Sequence, residues 1–194
     1  MTTLEYYTDK AKEFCDGTVN VDMGDLYLPF LKLIPDGGKI LDAGCGSGRD
    51  TKFFKDQGYS VVAFDFSAEI VKLASEYIGE TVLHMSFEDV DFENQFDGIW
   101  ACASILHVPK NDIGGVLSRL SRALKKSGIL YTSFKYGDAE EVRKDRLFSD
   151  FTELSFQTIL EPVPSLKMIK HWKTVDARPD RMDEFWLNML LQKA

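Results

Sequence analysis

The order of residue types between Lys39 and Asp65 restricts the fold of this chain more than any other stretch. An apolar run, Lys39-Ile40-Leu41-Asp42-Ala43, leads into Gly44-Cys45-Gly46-Ser47-Gly48. A mixed segment from Arg49 to Gln57 ends at Gly58, and a second apolar run, Ser60-Val61-Val62-Ala63-Phe64, stops at Asp65. Short apolar runs bounded by glycine read as buried strands. The pattern then repeats with new residues. Ser67 is placed as an N-cap ahead of a helical stripe of Ile70, Val71, Ala74, Tyr77 and Ile78. Thr81–Met85 and Phe96–Ala101 read as the third and fourth strands. Ile113, Val116, Leu117, Leu120 and Leu124 form another helical stripe closed by Gly128, and Ile129–Phe134 is a fifth strand. Strands alternating with helices predict a parallel sheet covered by helices on both faces.

The C-terminal third departs from this alternation. A helix near Thr152–Leu160 is stopped by Pro162 and Pro164, and two strand-like runs follow, Leu166–Val175 and Glu184–Leu191. The stretch between them, with Arg178-Pro179-Asp180-Arg181, is shorter than the ~10–12 residues a helical crossover needs. An antiparallel terminal hairpin is therefore expected. Ahead of the first strand, Val21–Ile34 has a helical face of Met23, Leu26, Tyr27, Phe30 and Leu31 despite Pro29. That segment and Leu4–Phe14 are expected to form a lid over the carboxyl edge of the sheet.

Composition excludes several classes. With 194 residues, 44% hydrophobic and 28% charged, the chain suits one globular domain. No apolar stretch approaches the ~18 residues of a membrane span, and Met1–Tyr7 lacks the basic and apolar regions of a signal peptide. Asp22 and Asp25 suit an ordinary helix start rather than a membrane-facing one. Cytoplasmic location is the expectation. The three cysteines, Cys15, Cys45 and Cys102, have no paired spacing for zinc or redox chemistry, and neither a metal nor a disulfide is expected. A net charge of −8 argues against sequence-independent nucleic-acid binding.

Ligands of an open parallel sheet bind at the carboxyl ends of its strands, beside the point where strand order reverses. Gly44, Gly46 and Gly48 let the backbone turn tightly there and approach a ligand, with a helix N-terminus offering N–H groups to an anion. The same glycines also suit a plain tight bend. Asp65, 17 residues after Gly48, places a carboxylate where ribose hydroxyls can donate to it. Asp42 is an acceptor for a ligand ammonium or a loop-stabilising acid. A dinucleotide fingerprint would need glycine at position 49, where this chain has Arg49. Arg49 reads either as a partner for a ligand carboxylate or as an exposed helix arginine.

These segments resemble the motifs of the class I S-adenosylmethionine-dependent methyltransferases. The likeness is carried by Ile40-Leu41-Asp42-Ala43-Gly44-Cys45-Gly46-Ser47-Gly48-Arg49-Asp50, by Val61–Ser67, by Phe96-Asp97-Gly98-Ile99-Trp100 and by Leu124–Leu130. Gly48-Arg49-Asp50 and Tyr6-Tyr7 look like the small tellurite-resistance-type branch. The resemblance implies a single α/β, Rossmann-like domain with a mostly parallel seven-stranded sheet and an antiparallel C-terminal hairpin strand. It would comprise an N-terminal helical lid (1–36), a cofactor-binding core (37–135) and a C-terminal helix and hairpin (136–194). S-adenosylmethionine is the implied cofactor, held by Asp42, Gly44, Cys45, Gly46, Gly48, Arg49, Asp65, Phe66, Ser67, Ser86, Phe87 and Ala101. Ser86 stands where many relatives carry an acid for the adenine amino group, so adenine contacts fall to Ser86, the Phe87 backbone or Glu88.

The implied partner is a small-molecule acceptor, and the sequence sets no oligomeric state. Transfer from a sulfonium is an in-line displacement, for which alignment matters most and a base helps only a protonated acceptor. His107 and Tyr7 are the candidate catalytic residues. Packing or capping is the other reading of His107, while His84 and His171 sit inside strand patterns. Tyr6 and Tyr7 offer aromatic faces to the sulfonium, and Tyr27 reads as helix packing. Arg146, Arg178 and Arg181 are candidate clamps for an anionic acceptor or plain surface residues. Trp172 and Trp186 are expected to fill a sheet face. A nicotinamide-dependent oxidoreductase and a non-catalytic S-adenosylmethionine-binding protein are the competing functions.

Overall fold

The computed structural model describes residues 2–178 and 181–194. Its centre is a seven-stranded sheet. The strands are β1 (Lys39–Ala43), β2 (Ser60–Asp65), β3 (Leu83–His84), β4 (Phe96–Ala101), β5 (Leu124–Lys135), β8 (Leu166–Val175) and β9 (Phe185–Lys193), in the order β3-β2-β1-β4-β5-β9-β8. All neighbours from β3 to β5 are parallel, and β9 runs antiparallel to both β5 and β8. Strand order reverses beside β1, which puts the glycine loop at the switch point.

Alternation along the strands divides the core into two layers. Leu41, Ile99 and Leu130 face a layer closed by α6 (Lys110–Ala123) and α7 (Glu153–Leu160). Ile40, Trp100 and Tyr131 face a layer closed by α3 (Gly24–Leu31) and α4 (Arg49–Asp56). Two short helices, α1 (Thr3–Asp9) and α2 (Ala11–Thr18), pack against α5 (Ala68–Ile78) through Tyr7, Ala11, Cys15 and Ile70. Local chemistry fixes several ends. Ser67 caps α5 by accepting from Ile70 N–H, and Thr152 and Ser155 form a reciprocal box at the start of α7. Pro29 lies inside the 8-residue α3 and leaves Asp25 O without the bond an N–H at position 29 would make.

Five features differ from the sequence reading. Gly128 does not close α6, which ends at Ala123; Leu124 is fully buried and opens β5 opposite Phe96. The register then jumps to Gly98↔Ile129, leaving 125–128 bulged, with Lys125 Nζ donating to Asp97 Oδ2 at 2.8 Å. The third strand is Leu83–His84 rather than Thr81–Met85, because Val82 N–H donates to Ser75 Oγ (3.0 Å) and leaves the ladder. Tyr77, placed on the apolar stripe of α5, is 45% exposed. α3 is no lid, since Phe30 and Ile34 are buried against the sheet and only its N-terminal end reaches the cavity described below. Lastly, an unexpected two-stranded hairpin, β6 (Glu140–Arg143) and β7 (Arg146–Ser149), follows β5. The terminal hairpin itself is as expected; Pro179 and Asp180 at its turn lie outside the described residues.

Candidate active site

The carboxyl edge of the sheet opens into a cavity of about 1360 Å³. One wall is the glycine loop. Gly44 has φ +78°, and a Cβ there would stand 2.5 Å from Cβ of Ser104, whose hydroxyl donates to Ala43 O at 2.7 Å. A side chain at 44 would break that lock between β1 and the segment after β4. Gly44 N–H and Cys45 N–H both donate to Phe64 O (3.0 and 2.9 Å), and Gly46 N–H donates to Asp65 Oδ2 at 3.0 Å. The loop therefore hangs on the end of β2. Asp65 Oδ1 also accepts from Ser67 N–H at 3.1 Å. Burial pushes the Asp65 carboxyl up to about 6 although these N–H donors pull the other way.

Of the residues assigned to the cofactor from sequence, Gly44, Cys45, Gly46, Arg49, Asp65, Phe66, Ser86 and Phe87 border the cavity together. Asp42, Gly48, Ser67 and Ala101 do not. Asp42 is 2% exposed beneath the loop, accepts from the Thr51 hydroxyl at 2.6 Å, and is pushed up to about 8 by burial and then by the charge of Asp50. The loop-stabilising reading of this acid is the one the geometry carries. Gly48 caps α4 and abuts Ile78, Ser67 is spent capping α5, and Ala101 is fully buried among core residues. The Ser86 hydroxyl donates to Asp89 Oδ2 at 2.8 Å, and Phe87 sets its ring edge-on to Phe64.

Arg49 is neither free nor merely exposed. Its Nε and Nη2 donate to Asp50 (2.6 and 3.0 Å) and its Nη1 to Thr18 O (3.2 Å). Asp50 also accepts from Tyr27 Oη (2.6 Å) and Trp100 Nε1 (2.8 Å). Burial would raise the Asp50 carboxyl, but the Arg49 charge and these donors outweigh it and hold the group below its ordinary value. Tyr27 thus both packs and donates. The sequence assigns Asp50 no individual role, although it closes the Gly48-Arg49-Asp50 motif.

His107 and Tyr7 form a second polar group on the cavity wall, with the Tyr7 ring 6.0 Å from that of Phe66. His107 Nδ1 lies 2.6 Å from Leu147 O, an obligatory acceptor, so Nδ1 carries the proton and Nε2 accepts from Tyr7 Oη at 2.9 Å. Burial pushes the imidazole down to about 4, with Arg146 and Arg143 adding to the effect and the Leu147 carbonyl opposing it. Burial raises the Tyr7 phenol. Neutral imidazole beside neutral phenol is the resting state. Phe14, which has its ring against Gly46 and edge-on to Tyr7 (5.0 Å), completes this group and had not been singled out.

Beyond these groups the cavity continues between the two hairpins. Lys135 Nζ donates to Asp176 at 3.1 Å and also to Glu184, and Arg178 holds Asp176 at 2.7 Å. Arg181 faces Glu184 at 3.9 Å. Trp186 borders the cavity and donates from Nε1 to Asp176, whereas Trp172 lies against Tyr131. His84 bonds Phe66 O and His171 is on the outer strand, away from the cavity. Among the described residues no helix is long and apolar enough to cross a membrane.

Residues 40–128 match the family model of a methyltransferase domain. YqeM of Bacillus subtilis (strain 168) is 30% identical over 131 residues, which is 62% of this chain; the chain spans about half, 52%, of that relative. An uncharacterized methyltransferase of Staphylococcus carnosus is 23% identical over 202 residues, 100% of this chain and 95% of the relative. In structure the chain is similar to the Burkholderia thailandensis 1,6-didemethyltoxoflavin-N1-methyltransferase solved with 1,6-didemethyltoxoflavin and S-adenosylhomocysteine. That match has a TM-score of 0.78 and 23% identity, and it covers 98% of this chain and 84% of the other. The chain therefore shares the fold of this methyltransferase structure, and its residues 40–128 match a methyltransferase domain. Neither nicotinamide-dependent oxidoreduction nor cofactor binding without catalysis is favoured by these matches.

Proposed function

We propose that this chain transfers the methyl group of S-adenosylmethionine to a small organic acceptor. The observation that carries the reading is one cavity with two unlike halves. A glycine loop and the Asp65 carboxylate form one, and the Tyr7–His107 pair forms the other. At about 1360 Å³ the space exceeds the ~300–1,000 Å³ of an ordinary single-ligand pocket and has room for cofactor and acceptor together.

The residues present fit the cofactor. Asp65 would accept from the ribose hydroxyls, the Gly44–Gly46 backbone would line the amino-acid end beside the Arg49–Asp50 pair, and Phe66, Ser86 and Phe87 would flank the adenine. When bound, S-adenosylmethionine supplies an electrophilic methyl group on a sulfonium sulfur that leaves as a neutral thioether. The protein aligns the acceptor lone pair with that carbon and excludes water, with α1 and α2 covering the site. Tyr7 and neutral His107 orient the acceptor atom and offer it a proton path. A net charge of −8 favours a small molecule over nucleic acid, and three unpaired thiols suit the cytosol.

Calorimetry tests the core of this reading. One S-adenosylhomocysteine should bind per chain, with affinity falling at least tenfold in Asp65→Ala, and labelled methyl should pass to an acceptor within a panel of phenols, amines, thiols and carboxylates. A folded wild type that ignores S-adenosylhomocysteine would overturn it.

A further inference from the structure

The basic groups of the cavity wall are not equivalent. Arg49 is matched by Asp50, Lys135 by Asp176 and Glu184, Arg143 by Asp150 and Glu141, Arg178 by Asp176 and Arg181 by Glu184. Lys144, exposed at the β6–β7 turn, and Arg146 have no such partner, and of the two only Arg146 is partly buried. Among the described residues no carboxylate comes within ion-pair distance of it, and its buried Nε donates to nothing. The side chain is nevertheless held in place. Its guanidinium lies 4.4 Å from the Tyr6 ring centroid and 5.2 Å from that of Phe148, and Nη1 lies 3.5 Å from Tyr7 Oη. The strand that carries it is tied on both sides, since Leu147 N–H donates to Thr3 Oγ1 (3.0 Å) while Leu147 O receives His107.

A partly buried guanidinium whose Nε is sealed from water with no acceptor is incompletely satisfied, and aromatic faces return only part of that cost. Placed against the Tyr7–His107 pair on the wall of a ligand cavity, it lacks one component. We propose that Arg146 is the anion anchor of the acceptor half-site, so that the acceptor is a small molecule bearing a carboxylate or similar planar oxyanion. The guanidinium fork accepts such a group bidentately. Phe148 beside it, with Leu106 and Val108 also on the cavity wall, favours an aromatic or otherwise flat body. Anchored there, the acceptor presents its reacting atom to Tyr7 Oη. This inference rests on the methyltransferase reading for the identity of the other half-site. It also separates Arg146 from Arg178 and Arg181, whose guanidinium groups already face acids.

The test is a calorimetric titration of the S-adenosylhomocysteine complex with 2-hydroxybenzoate, 4-hydroxybenzoate and the two corresponding amides. At least one carboxylate should bind at least tenfold more tightly than its amide. Arg146→Gln should remove that preference while leaving affinity for S-adenosylhomocysteine unchanged, and Arg146→Lys should keep part of it. Should Arg146→Gln fail to fold, Arg146→Lys decides the matter by a reduced carboxylate-to-amide ratio. Carboxylates that do not bind, that bind no better than their amides, or that bind both variants as well as wild type would overturn the proposal. A wild type that binds no S-adenosylhomocysteine refutes the methyltransferase reading instead, and carboxylate titrations of the free protein then judge Arg146 separately.

Discussion

At the scale of the residue, Asp65 carries two tasks that pH can separate. It holds Gly46 N–H in the free protein and is read as the acceptor for ribose hydroxyls. With its carboxyl pushed up to about 6, a proton competes with the ligand below that pH. Only the ionised form offers four lone-pair sites to donors, so affinity for S-adenosylhomocysteine should be flat from pH 7 to 8 and fall about tenfold at pH 5. Calorimetry at several pH values checks this, and a flat profile down to pH 5 would separate Asp65 from the ligand. Sequence alone exposed Asp65 because it ends an apolar strand at a fixed distance from a glycine loop. The same reasoning misplaced Asp42. Proximity in sequence to the loop says nothing about which face of β1 a carboxylate takes, and here it turns inward to Thr51. His107 was legible only as a polar residue beyond a strand, since its partners Tyr7 and Leu147 come from segments 100 and 40 residues away.

Among the elements, those with a strong period were legible and those built on tertiary pairing were not. β1 and β4 are runs of mostly buried residues, β2 is buried over its second half, and α5 begins at its Ser67 cap as read. β6 and β7 escaped because Glu140–Arg143 is largely exposed and the turn lacks glycine or asparagine. Lys144 and Asp145 occupy it with φ values of +49° and +64°. Two consecutive left-handed residues make the primed turn that hairpins prefer, but Lys and Asp adopt it at a cost of about 1 kcal/mol or more each. Lys144→Asn/Asp145→Gly should therefore stabilise the hairpin by roughly 1–2 kcal/mol. For a domain of this size that is a rise in Tm of about 2–4 °C per kcal/mol, readable by calorimetric melting. An unchanged or lower Tm would show that the turn is not strained. The looped-out residues 125–128 escaped for a similar reason: the fully buried Leu124 is the last apolar position of one pattern and the first of the next.

For the whole molecule, the informative fact is that distant parts of the chain converge on one cavity. α1 delivers Tyr7, the loop after β1 delivers Gly44–Gly46, the segment after β4 delivers His107, and β7 delivers Arg146. α1 touches β7 through Thr3, Tyr6 and Tyr7, and it touches α5 through Tyr7 and Ile70. Ordering α1 therefore orders both halves of the site. Its lone capping box and 7 residues leave it weak as an isolated helix, so it depends on those contacts. A ligand that binds only the native state adds RT ln(1 + [L]/Kd), about 2.7 kcal/mol at a hundredfold excess over Kd. Much of that should appear where local opening was easiest. Amide exchange with and without saturating S-adenosylhomocysteine should show slowed exchange in the glycine loop, in α1 and in β6–β7 together, although the hairpin lies in the acceptor half. Protection confined to the glycine loop and β2 would mean that the two halves are filled independently. Protection spreading to the hairpin would mean that the cofactor prepares the acceptor half before any acceptor arrives.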